Sequence, residues 1–91
     1  MSEAIEVLFH SVRKGATATM EGIKLVEEMR QAFGQADSRA QQLLHRGSPG
    51  AEATIRRIAA VRWDLEQIAL GFQRIQRQLK PLLANQEPEQ G

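Results

Sequence analysis

The chain has no cysteine and no tyrosine, and aromatic residues make up only 4% of it. Without thiols there can be no disulfide, no thiolate nucleophile and no Cys-ligated zinc; the lack of cysteine leaves the compartment open, because both redox environments tolerate it. Scarce aromatics and few β-branched runs argue against a sheet. Lys and Arg number 12 against 11 Asp and Glu, a net charge of +1, so no global field selects nucleic acid or an anionic membrane. No stretch approaches the roughly 18 consecutive apolar residues of a membrane span. The segment Met1-Ser2-Glu3-Ala4-Ile5-Glu6 has neither a basic start nor a long apolar run, so no cleavable signal peptide is visible. The expected location is cytoplasmic, with export by a route without a cleaved signal as the alternative. Ninety-one residues make one small domain at most, and 42% hydrophobic content with 25% charge fits a folded helical protein rather than disorder.

What the chain does have is a pair of uninterrupted heptad registers. In the first, Ile5, Val12, Thr19, Val26, Phe33 and Ala40 interleave with Leu8, Gly15, Gly22, Met29, Ala36 and Leu43. In the second, Ile58, Leu65, Phe72 and Leu79 interleave with Val61, Ile68, Ile75 and Leu82. Apolar residues alternating three and four apart keep one stripe of a helix against a partner helix. Between the registers stands Gly47-Ser48-Pro49-Gly50. Gly47 suits the left-handed residue that closes a helix, and Ser48-Pro49 reads as an N-cap followed by proline in the first helical turn.

The fold class predicted is therefore all-α: an antiparallel two-helix hairpin over residues 1–83, with helices of about 3–46 and 49–80 around a turn at 47–50. Pro81 should end the second helix, leaving 84–91 as a disordered acidic tail. Gly34-Gln35-Ala36-Asp37-Ser38 carries stop and cap signals, but the heptad crosses it in register, so the first helix is expected to continue there. Folding at the turn pairs Leu43 with Thr54, Ala40 with Ile58, Ala36 with Val61, Phe33 with Leu65, Met29 with Ile68, Val26 with Phe72, Gly22 with Ile75, Thr19 with Leu79 and Gly15 with Leu82. A mid-helix glycine costs about 1 kcal/mol relative to alanine, so Gly15 and Gly22 imply close approach of the large residues opposite.

A two-helix hairpin cannot bury everything apolar here. Ile5, Leu8, Phe9 and Val12 extend beyond the second helix, while Ile23 and Leu25 widen the apolar face of the first toward that of a bundle helix. Trp63, with Leu70 two turns on, falls opposite the predicted seam among Arg56, Arg62 and Arg74, the composition of an interface anchor. The hairpin should complete a four-helix bundle by oligomerisation or with a partner chain.

Reactive chemistry is missing. His10 and His45 lie at opposite ends of the first helix, and Glu6 with His10 has no second Glu-x-x-His pair to complete a helical metal site. No Ser/His/Asp arrangement, phosphate loop or acid–base pair appears. The reading is no enzyme, no cofactor and no metal. Helix two is the more basic, yet its charges spread around several faces and have acidic neighbours, which makes a nucleic-acid-binding dimer the third-ranked possibility.

A cysteine-free chain of two long helices joined at a central Arg46-Gly47-Ser48-Pro49-Gly50 turn resembles the small helical hairpins of bacterial secretion systems, in architecture the Trp-X-Gly family of type VII secretion. The defining motif is absent: the only Trp lies in Arg62-Trp63-Asp64. Phe33-Gly34-Gln35-Ala36-Asp37 echoes the aromatic-x-x-x-acid signals of such proteins, and type III needle subunits and their chaperones are similar in size and shape. The resemblance implies a protein-interaction module, a chaperone or targeting partner for a secreted effector, or alternatively a self-assembling needle-like or scaffold subunit.

Overall fold

The computed structural model describes residues 2–86, with the side chains of residues 85 and 86 outside that description. Two helices account for nearly all of it: α1, Ser2–His45, and α2, Ala51–Gln86, packed antiparallel as a hairpin. α1 passes through Gly34 unbroken, as the heptad predicts. The hairpin measures 68 × 22 × 15 Å with a radius of gyration of 20.4 Å. A compact domain of this length would have about 12 Å. The difference is surface that a single hairpin cannot fold inward.

The turn is built from two glycines with positive φ. Gly47, at φ 75°, follows the last turn of α1; its N–H donates to Leu44 O at 2.9 Å and the Ser48 N–H donates to Leu43 O at 3.0 Å. These two bonds form a Schellman closure, with Gly47 in the role expected of it. The second half differs from expectation. Gly50 has φ 81°, and the Ala51 N–H donates to Ser48 O at 3.3 Å. Ser48-Pro49-Gly50-Ala51 is thus a type II turn, with proline at its second position and glycine at its third. Pro49 belongs to this turn, so α2 begins at Ala51 rather than at 49.

Pro81 does not end α2, which continues to Gln86. Proline removes one backbone donor and crowds the carbonyl four residues earlier. Beyond it stands Leu83, half-buried and lining a groove with Ala16 and Thr19 of α1, so packing holds the last turns in helical form. Residues 84–86 are therefore helical rather than part of a tail. The remainder of the predicted tail, 87–91, lies outside the described residues.

The seam uses one predicted row from each helix and exchanges most of the other. Val12, Thr19, Val26, Phe33 and Ala40 on α1, and Ile58, Leu65, Phe72 and Leu79 on α2, are buried or half-buried. The core cluster is Val26, Leu65 and Ala69, with Phe33 and Phe72 against it. Their companions on α1 are the half-buried Phe9, Ala16, Ile23, Arg30 and Asp37, and on α2 Ile55, Ala69 and Leu83, while Arg62 and Gln76 of the same row are exposed at its edge. Of the predicted companions, Gly22 and Ala36 stay half-buried, whereas Met29, Leu43, Val61, Ile68, Ile75 and Leu82 are exposed, Ile68 by 51%. Each helix carries three adjacent rows rich in small or apolar residues, and a hairpin can bury only two. The rows chosen pair opposite charges across the seam, Arg30 with Glu66 and Asp37 with Arg62, and place the small Ala69 where the helices approach.

The two seam glycines consequently differ. A Cβ built on Gly22 would lie 2.5 Å from Phe72 Cζ, so close approach is real there, but the partner is Phe72 rather than Ile75. Gly15 meets nothing within 4 Å; Leu82 does not pack on it. Thr19, buried between the helices, turns its hydroxyl back to donate to Gly15 O at 2.8 Å. That bond satisfies a polar group which would otherwise destabilise the seam.

Candidate interaction surface

Each helical position advances about 100° around the axis. On α1 this puts the Met29 row on one side of the seam and Glu27 on the other. α2 runs in the opposite direction, so its Ile68 row comes to the side of Met29, and Glu66 to the side of Glu27. Two observed contacts agree with this assignment. Arg30 bridges Glu27 and Glu66 on one flank, and Gly22 meets Phe72 toward the other.

The first flank is polar and cross-linked by charge. Arg30 donates from Nε to Glu66 Oε2 at 2.7 Å and from Nη2 to Oε1 at 2.9 Å, while Nη1 reaches Glu27 at 3.0 Å. The hydrogen bonds from Arg30, reinforced by its charge and that of Arg62, hold the Glu66 carboxyl below its ordinary range. The same bonds raise the Arg30 guanidinium further above physiological pH. Gln76 donates to Met20 Sδ at 3.5 Å, and beyond it a groove lined by Ala16, Met20, Leu79 and Leu83 is bordered by Arg77 and Lys80. Trp63 and Leu70 are on this flank, on the outer side of α2. Trp63 is 66% exposed, so it points away from the seam.

The second flank has a different character. On α1 it presents Leu8, Ser11, Gly15, Ala18, Gly22, Leu25, Met29, Ala32 and Ala36, and on α2 Val61, Ile68, Ile75 and Leu82. None of these side chains is charged. Leu8, Leu25, Met29, Val61, Ile68, Ile75 and Leu82 are all exposed. Lys14, Glu21, Glu28, Arg39, Arg57 and Asp64 border it in balanced signs. Scattered exposed leucines are ordinary on a soluble surface; here the exposed apolar side chains adjoin one another across two helices.

The residues read as interface from the sequence divide accordingly. Leu8 and Leu25 stand on the uncharged flank and Trp63 and Leu70 on the other, all exposed. Ile5 is exposed on the seam row where α1 overhangs α2. Phe9, Val12 and Ile23 are half-buried on the seam rows; Ile23 lines an interhelical cleft with Val26, Ala69 and Phe72. Ile23 therefore serves the hairpin itself, because its row faces α2. Met29, Val61, Ile68, Ile75 and Leu82 were missed as surface since their heptad spacing reads equally well as a seam. Among the described residues no three His, Cys, Asp or Glu side chains converge, and no helix is long and apolar enough to cross a membrane. No family model matches the chain, and no curated protein or solved structure is similar to it.

Proposed function

We propose that this chain is a non-enzymatic helical interaction module whose uncharged flank completes a bundle with helices of another protein chain. The observation that carries this reading is the uncharged face from Leu8 to Ala36 on α1 and from Val61 to Leu82 on α2, whose large side chains Leu8, Leu25, Met29, Val61, Ile68, Ile75 and Leu82 are all exposed, although Gly22 and Ala36 within it are half-buried. Burying apolar surface contributes about 25 cal/mol per Å², so covering such a face is the main favourable term open to a hairpin whose buried core cluster, among the described residues, is Val26, Leu65 and Ala69 with Phe33 and Phe72 against it. A chaperone or targeting partner of an exported effector would use the face to cover apolar helices of its client. A self-assembling scaffold is the second reading. It is favoured by the separate Trp63–Leu70 patch, because unlike surfaces on opposite flanks can join head to tail without closing.

The test is charge insertion. Leu25→Glu with Ile68→Glu should abolish association, and should abolish binding of the dye 8-anilinonaphthalene-1-sulfonate by any species whose flank is uncovered, while leaving the chain helical. A chain that neither associates nor binds the dye, and that the double variant leaves unchanged in both respects, would overturn the reading.

A further inference from the structure

From this association face, and resting on the reading just given, we infer that its occupant is a second copy of the same chain, related by a two-fold axis parallel to the hairpin so that α1 of one protomer lies over α2 of its partner. The first observation is surface area. The chain exposes 7289 Å², whereas a globular monomer of its 10.2 kDa would expose about 5,300 Å². That excess of about 2,000 Å² per chain is spread over the whole elongated hairpin, and covering even half of it in each of two copies would bury about 2,000 Å², enough for a stable homodimer.

The second observation is the arrangement of small and large residues. Helix α1 presents Gly15 and Ala36 where α2, at the same level of the hairpin, presents Leu82 and Val61; Met29 is level with Ile68. The level follows from the seam register, fixed by Arg30–Glu66 and Asp37–Arg62. Within one chain these residues sit side by side on the flank, the large ones exposed and Gly15 with nothing within 4 Å of its Cβ position. A two-fold axis along the hairpin preserves every level while exchanging α1 for α2. It therefore sets Leu82 of one copy over Gly15 of the other, and Ile68 over Met29. Facing small against large residues fills space as a protein core does. The alternative axis, across the hairpin, would place α1 on α1 and lose this match.

The borders of the face agree with a protein occupant rather than a lipid surface. Face-down helices on membranes carry cations along the rim and aromatic anchors near it. Here Glu21, Glu28 and Asp64 offset Lys14, Arg39 and Arg57, and Trp63 lies on the opposite flank.

Single-cysteine variants test the arrangement, since the native chain contains no cysteine. Sedimentation equilibrium at micromolar concentration should give twice the chain mass. Met29→Cys mixed with Ile68→Cys and oxidised should give a covalent heterodimer, while oxidising Met29→Cys alone should give far less. A dimer cross-linked mainly through Met29→Cys to itself would overturn the axis. A monomer that binds the dye through the uncharged flank would overturn the second copy as occupant while leaving the interaction module standing. A monomer that instead partitions onto vesicles of phosphatidylglycerol would overturn both.

Discussion

Gly15 and Gly22 are two turns apart on α1, yet adding a side chain should have opposite effects at the two positions. At Gly15 a methyl group enters open space, so at concentrations where the chain is monomeric Gly15→Ala should raise stability by about 0.5–1 kcal/mol, measured by thermal melting. At Gly22 a larger side chain meets the Phe72 ring. Gly22→Leu should lose about 1–3 kcal/mol to overpacking despite leucine's better helix propensity. A rise in melting temperature there would contradict the close approach. Charge at the residue scale gives a pH dependence. Because Arg30 lowers the folded-state pKa of Glu66, the pair's contribution is fully present above the unfolded carboxylate range and is lost as pH falls through the lowered folded value. The melting-temperature gap between the native chain and Glu66→Gln should stay constant near neutrality and close in acid. Both partners are well solvated, so the gap should be small and should narrow in high salt.

For the helices as elements, the sequence made one row of each seam legible and left the other ambiguous. Val12, Thr19, Val26, Phe33 and Ala40 are unmistakable because the same positions serve any pairing of the helix. Choosing between the rows of Met29 and Arg30 is different, since hydrophobic periodicity favours Met29 and the structure buries the Arg30 row more. The signal that could have decided it is charge: Arg30 and Asp37 are level with Glu66 and Arg62, and only one rotation of each helix brings them together. The candidate surface was harder to read because its residues obey the heptad as well as the core does. Pro81 shows a local rule yielding to packing, and Leu83 is the residue that makes it yield. Leu83→Asp should therefore unwind the segment after Pro81 and leave the rest of α2 protected, which amide hydrogen exchange would resolve residue by residue.

The molecule as a whole is an extended hairpin in which, among the described residues, the buried core cluster has three members and fourteen large hydrophobic side chains are exposed. Its melting temperature should rise with protein concentration, because association removes surface that the single chain leaves wet. Trp63 reports which flank is covered. A partner on the uncharged flank leaves the indole in water and its emission red; a blue shift on association would mean that the Trp63 flank had closed instead. Trp63→Ala should leave the hairpin's stability within about 0.5 kcal/mol, as expected for a surface change away from packed features. The turn has a consequence on the same scale. Gly47 and Gly50 both need positive φ, and opening them into helical geometry would fuse α1 and α2 into one rod. Such a rod could satisfy its seam only by exchanging halves with another rod, which is domain swapping. The two glycines thus act as a topological lock, keeping each chain's own halves together before any second copy arrives. Gly47→Ala, Pro49→Ala and Gly50→Ala combined should release it, yielding swapped dimers whose helices run nearly the full length of the chain.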